Sequence, residues 1–121
     1  KSILGICLGH QAIASYYGAK LLNLTDVKHG VVSNLEHYNN CTLFNEIPNN
    51  IEVGHYHSWV VARDNFPESL LITSTNEDNI ITSFKHSKYD VVGMQFHPES
   101  ILTQYGLKMI ENWLDIDCNQ Q

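Results

Sequence analysis

A cysteine stands between two glycines in Gly5-Ile6-Cys7-Leu8-Gly9-His10-Gln11, where the apolar run Ser2-Ile3-Leu4-Gly5-Ile6 gives way to residues that favour a helix. This spacing predicts a nucleophile elbow, a sharp strand-to-helix turn that holds the side chain clear of the sheet. Glycines two residues before and two after remove Cβ atoms that would collide across such a turn. Cysteine suits the position because unpaired N–H groups and the positive dipole end of the helix favour thiolate over thiol, which predicts a lowered pKa. The N–H of Leu8 points into the same space and could bind the oxyanion formed when sulfur attacks a carbonyl. The alternative is an inert cysteine at the end of a Gly-rich strand.

A general base would decide between them, and the second half of the chain offers one. Val91-Val92-Gly93-Met94-Gln95-Phe96 is an apolar strand that runs into His97, with Glu99 two residues later and Pro98 stiffening the interval. Imidazole can take the thiol proton and return it to a leaving amine, while the carboxylate selects its tautomer and stabilises the imidazolium. Singly, each is an ordinary surface or hydrogen-bonded residue. Together with the elbow they form a candidate Cys-His-acid set.

The elements that must position these groups alternate in an α/β pattern. After the elbow strand, Gly9–Tyr17 reads as a helix capped by Gly18, and Ala19–Leu24 and Val27–Glu36 read as strands. Asn39-Asn40 and Pro48-Asn49-Asn50 are turn clusters. Asn76-Glu77-Asp78-Asn79 separates Leu70–Ser74 from Ile80–Phe84 in a predicted hairpin. From Leu102 onward, Leu102, Tyr105, Met109, Ile110, Trp113 and Leu114 recur at helical spacing, which predicts a last helix whose apolar stripe packs on the sheet. No internal repeat or linker is present.

Three motifs in order, G-I-C-L-G-H-Q, H-Y-H-S-W-V-V and Q-F-H-P-E-S, resemble the signatures of the class I, triad-type glutamine amidotransferases. Tyr56-His57-Ser58 and Pro98-Glu99-Ser100-Ile101-Leu102-Thr103 are similar to the glutaminases of anthranilate synthesis and of para-aminobenzoate (aminodeoxychorismate) synthesis. The resemblance runs from Lys1 to about Leu114. It implies a three-layer α/β domain with a mixed central sheet, of which residues 1–121 would be a partial copy lacking the N-terminal portion. It implies Cys7 as nucleophile, His97 as general base and acid, and Glu99 as its orienting partner. Leu8 would give an oxyanion N–H, Gln11 would hydrogen-bond glutamine, and Ser58 and Trp59 would hold its amino-acid end largely through the backbone. For Gln11 the alternative is a solvent-facing residue of the first helical turn.

The activity so implied is glutamine amide hydrolysis through a cysteinyl thioester, with ammonia passed to a chorismate-binding synthase subunit or fused domain. No cofactor or metal is expected in this domain, whereas the partner synthase is expected to need Mg2+. The N-terminal portion would carry a Gly-rich loop with another oxyanion donor, and losing one such donor costs about 3 kcal/mol. The 121-residue piece alone is therefore expected to be weakly active or inactive, and prone to self-association through exposed sheet edges. A γ-glutamyl peptide hydrolase and a non-catalytic fragment or assembly module remain the alternatives. Glu99 directly after His-Pro favours the amidotransferase over the first, and the intact set favours chemistry over the second.

Composition agrees with one globular domain: 121 residues, 43% hydrophobic, with a formal net charge of −6. Such a balance argues against binding nucleic acid or an anionic membrane through a basic face. Cys7, Cys41 and Cys118 lack C-x-x-C pairing, so neither a disulfide framework nor a zinc ribbon is indicated, and a reducing cytoplasm is the expected compartment. His55-Tyr56-His57 would place two imidazoles on one strand face, but no third ligand is nominated by spacing. His29, His37 and His86 read as ordinary surface or strand residues, and Phe96, Trp59 and Tyr56 as packing groups, although Trp59 could also wall the substrate site. Two departures from the family pattern stand out. In Val27-Lys28-His29-Gly30-Val31, lysine precedes His-Gly and valine follows it, where relatives usually carry methionine and lysine. His55 stands where arginine is common. Neither touches the triad; the first bears on partner contact.

Overall fold

The computed structural model describes residues 2–24, 31–38, 40–55 and 59–119. Strand β1 (Ile3–Ile6) runs into helix α1 (Leu8–Tyr16), followed by β2 (Leu21–Asn23), β3 (Val31–His37) and a single 3-10 turn at Thr42–Phe44. Next come β4 (Ile51–His55), β5 (Trp59–Val61), β6 (Leu70–Asn76), β7 (Ile81–His86), β8 (Val91–Met94) and helix α2 (Gly106–Asn119). Six strands form one sheet in the order β1-β8-β7-β6-β3-β4. Among the described strands only β1 and β8 are parallel, with Ile6 beside Met94; the other pairs of this sheet are antiparallel, which makes it mixed. Among the described residues no helix is long and apolar enough to cross a membrane.

Strand parity distributes the side chains between two cores. On one face Leu4, Ile6, Val92 and Met94 pack with Leu35, Val53, Phe96 and Met109. On the other, Ile13 and Ala14 of α1 meet Leu70, Ile81 and Phe84. The central sheet is thus covered by α1 on one side and by α2 with the 3-10 turn on the other, as the three-layer expectation requires. Gly93 permits the first of these contacts, since a Cβ there would lie 2.4 Å from Phe84 Cζ and 2.9 Å from His10 Nδ1.

Several elements differ from the sequence expectation for local reasons. Helix α2 starts at Gly106, because residues 101–105 are spent in turns and Tyr105 has a left-handed φ of 61°. Met109 is fully buried, but Tyr105 and Leu114 face solvent, so the apolar stripe is narrower than its spacing suggested. Strand β2 does not join the main sheet; it pairs with β5 in a separate two-stranded ribbon. Of the strand expected at Val27–Glu36, residues 25–30 lie outside the described residues and the rest forms β3. Strands β4 and β5 and the 3-10 turn were not anticipated. The turns agree with expectation: Gly18 has φ 103° after α1, and its N–H donates to Ser15 O at 3.0 Å. In the β6–β7 hairpin, Asn76 Oδ1 accepts from the N–H groups of Asp78 at 2.9 Å and Ile80 at 3.0 Å.

Candidate active site

Cys7 occupies the junction between β1 and α1 with φ 56° and ψ −102°, a conformation that L-residues adopt only under constraint. The constraint is visible on both sides. Its N–H donates to Met94 O at 2.8 Å, and its carbonyl accepts the Gln11 N–H at 3.1 Å, the first turn of the helix. A Cβ on Gly5 would lie 2.6 Å from Ile13 Cδ1 and 2.7 Å from the Gly9 carbonyl, so Gly5 is what lets the strand and helix fold tightly together. A Cβ on Gly9 would meet nothing within 4 Å. The expectation of matched steric roles for the two glycines is therefore corrected: the close approach is made by Gly5 against the backbone of Gly9.

The thiol environment also differs from expectation. Burial pushes the Cys7 pKa up, and the negative charge of Glu99 adds to that; the Leu8 N–H and the Gln95 side chain pull it down without reversing it. The helix terminus thus tempers the cost of burying a charge but does not yield a resting thiolate. In the free protein Cys7 is a thiol that needs a base. Leu8 itself projects into solvent, while its backbone N–H lies close enough to the sulfur to favour the thiolate.

His97 and Glu99 lie just beyond β8, three and five residues after Met94. His97 Nδ1 donates to Glu99 Oε2 at 2.7 Å, which leaves Nε2 as the nitrogen for proton transfer. Burial would raise the Glu99 pKa, but its own backbone N–H, the His97 hydrogen bond and the charge of His97 together hold it below the usual carboxylate range. The loop is fastened from beneath. The His97 N–H donates to Gly54 O at 3.2 Å, and Thr103 Oγ1 both donates to His97 O at 2.6 Å and accepts from the Gly54 N–H at 2.9 Å. Gly106 fits under the same loop, where a Cβ would come within 1.9 Å of Pro98 O.

Gln11 is buried in the first turns of α1, which corrects the solvent-facing alternative. Its Nε2 donates to Trp59 O at 2.9 Å and to Gln95 Oε1 at 3.3 Å. Trp59 opens β5, half-exposed, so its carbonyl meets Gln11 while its ring borders solvent. Ser58, Tyr56 and His57 lie outside the described residues, as do Lys28, His29 and Gly30. Gln95 was missed from sequence as a site residue. It is fully buried, and its Nε2 donates to Cys7 Sγ at 3.8 Å. Its place two residues before His97 was the available signal.

His37, His55 and His86 are strand residues with structural partners. His55 is buried and its Nε2 bonds Ser33 Oγ across the β3–β4 pair. His37 stacks on Phe44 at 4.9 Å and bonds Ile47 O, and His86 Nδ1 accepts the N–H groups of Lys88 and Tyr89. Burial, not the surface, is the setting of both. Phe96 packs in the core as expected.

The family model "Glutamine amidotransferase class-I" matches residues 1–116. The anthranilate synthase component 2 of Pyropia yezoensis is 41% identical over 114 residues, covering 93% of this chain and 60% of that protein. The aminodeoxychorismate synthase component 2 of Escherichia coli is 40% identical over 112 residues, covering 93% of this chain and 59% of that protein. This chain thus spans about 60% of the length of these relatives. In fold, it is similar to a crystal structure of a Thermoplasma acidophilum protein described as one component of a GMP synthase, with a TM-score of 0.88 at 27% identity, covering 98% of this chain and 58% of that one.

Proposed function

The chain belongs to the class-I glutamine amidotransferases, and on that premise we propose that it releases ammonia from the side-chain amide of glutamine for a chorismate-aminating synthase. The observation that carries the proposal is the convergence of the Cys7 elbow and the hydrogen-bonded His97–Glu99 pair at one end of the parallel strands β1 and β8. Because burial keeps Cys7 protonated, His97 Nε2 must take its proton as the sulfur attacks the amide carbon. Charge that develops on the amide oxygen falls toward the Leu8 N–H. Collapse breaks the C–N bond, the imidazolium proton passes to the departing ammonia, and a γ-glutamyl thioester remains. Water then gives its proton to His97 and attacks the thioester, releasing glutamate and the thiol. Gln11, Trp59 and Ser58 are the proposed contacts of glutamine.

The names of the two relatives above support a partner synthase that makes anthranilate or aminodeoxychorismate; a cytoplasmic setting and Mg2+ held by that partner belong to the proposal. Co-purification with such a synthase, and assay with glutamine or ammonia as nitrogen source, tests the reading. Cys7→Ser is expected to abolish glutamine-dependent amination while ammonia-dependent amination continues. Intact glutamine-dependent amination in that variant would overturn the assignment. Hydrolysis of γ-glutamyl peptides without any response to the synthase would favour the peptide hydrolase instead.

A further inference from the structure

Three of the contacts above share one carboxamide. The backbone of Gln95 is fixed by donation of its N–H to Thr82 O at 2.8 Å, just past the last pair of β7 and β8, and its side chain is wholly buried. From there it reaches the nucleophile on one side and Gln11 on the other. The direction of these bonds is forced from a distant end. A backbone carbonyl can only accept, so Trp59 O obliges Gln11 to turn its NH2 inward. That NH2 then obliges Gln95 to present its own carbonyl oxygen, which leaves the Gln95 NH2 facing sulfur. Flipping Gln95 would set two NH2 groups together and an oxygen lone pair against the thiolate.

We propose that Gln95 is a positioning residue that relays hydrogen-bond polarity from Trp59 through Gln11 to Cys7, so that a donor is always aimed at the sulfur. The proposal rests on the reading of Cys7 as the nucleophile. It gives the buried amide a task that packing alone would not require: as the thiol loses its proton, the 3.8 Å contact becomes a charge-assisted bond. It also couples two jobs, since any movement of Gln11 when glutamine arrives is felt at the sulfur through one side chain. The effect of Gln95 on the Cys7 thiol, opposing that of burial, is in the same sense.

The test is the pH dependence of Cys7 alkylation by iodoacetamide in the full chain, comparing the wild type with Gln95→Leu and Gln95→Glu. Loss of one donor to the thiolate is expected to raise the apparent pKa by about half to one unit and to slow alkylation at neutral pH by about three- to tenfold. Gln95→Glu keeps the acceptor for Gln11 but puts a negative charge beside sulfur, and should shift the profile further. A lower melting temperature in a folded variant with an unmoved profile would mean that Gln95 only packs, and would overturn the relay. In the unsubstituted chain, the Gln95 side-chain amide proton resonances should titrate with the Cys7 midpoint. Resonances that stay fixed as Cys7 ionises would overturn it too, whatever the variants do. Failure of the nucleophile reading shows separately, as glutamine hydrolysis that survives Cys7→Ser while the Cys7 alkylation profile still responds to Gln95.

Discussion

Cys7 is held by opposing influences, and their balance sets how the site should respond to pH. Burial dominates, so the thiol ionises above its ordinary range, and alkylation of the wild-type protein should keep rising past pH 8.5, the usual thiol value. A profile already flat at pH 7 would contradict this. Glu99 behaves in the opposite sense. Its folded pKa is lowered, so the His97–Glu99 pair contributes to stability above the carboxylate range and loses that contribution as pH falls through the folded value. The contribution is small, because the Glu99 side chain is 68% exposed and solvent screens it. Its effect on rate is larger: Glu99→Gln should lower kcat by about tenfold, through loss of imidazolium stabilisation, with little change in KM. An unchanged kcat would show that Glu99 does not orient the base. Cys7, His97 and Glu99 were legible in sequence because their side chains carry reactive chemistry at telling intervals. Gln95 was not singled out: its one mark in the sequence is its place two residues before His97, and an amide at a strand end shows its task only when its two distant partners are placed beside it.

At the scale of elements, the triad loop depends on the start of helix α2. Gly106 begins α2 directly under Pro98, where a methyl group would overlap the carbonyl oxygen at 1.9 Å. Backbone cannot yield there as a flexible side chain can. Gly106→Ala should therefore cost about 3 kcal/mol of stability and lower activity by moving Glu99 off His97. Thermal unfolding and glutamine hydrolysis measured on the same sample check it; a stable, fully active variant would show that the loop adapts. The sequence marked this helix but not its start, because Leu102 and Tyr105 fit the helical period while their backbone is used in turns. Thr103, inside that misread stretch, ties His97 to Gly54. Likewise β2 reads as any short apolar strand, and only the partner it finds, β5, reveals that it leaves the main sheet.

Across the whole molecule, the central sheet ends in β1 on one side and β4 on the other. Strand β1 has β8 as its one neighbour among the described residues, and Ile3 on it is 47% exposed. An unpaired, apolar edge is a template for another strand, and a net charge of −6 only partly opposes pairing. The 121-residue chain should associate in a concentration-dependent way on size-exclusion chromatography, and Ile3→Lys should reduce that association. A monomer at all concentrations in the unsubstituted chain would contradict this. The α/β class was legible in the alternation of strand and helix patterns around the elbow, whereas the mixed sheet was an expectation carried by the resemblance of the three motifs. The strand order was not, since pairing β1 with β8 depends on contacts that no local window contains.

That same pairing gives the protein a schedule. Ser2 and Asp90, bonded beside the β1–β8 ladder, are 88 residues apart in the chain. A ribosome adding about 5–20 residues per second would finish β8 roughly 4–18 s after β1 emerges. Throughout that interval the cysteine has neither its base nor its buried amide. The reactive centre is therefore armed only once β8 and the loop carrying His97 and Glu99 have been made, and a chain interrupted before them carries no primed nucleophile into the cell.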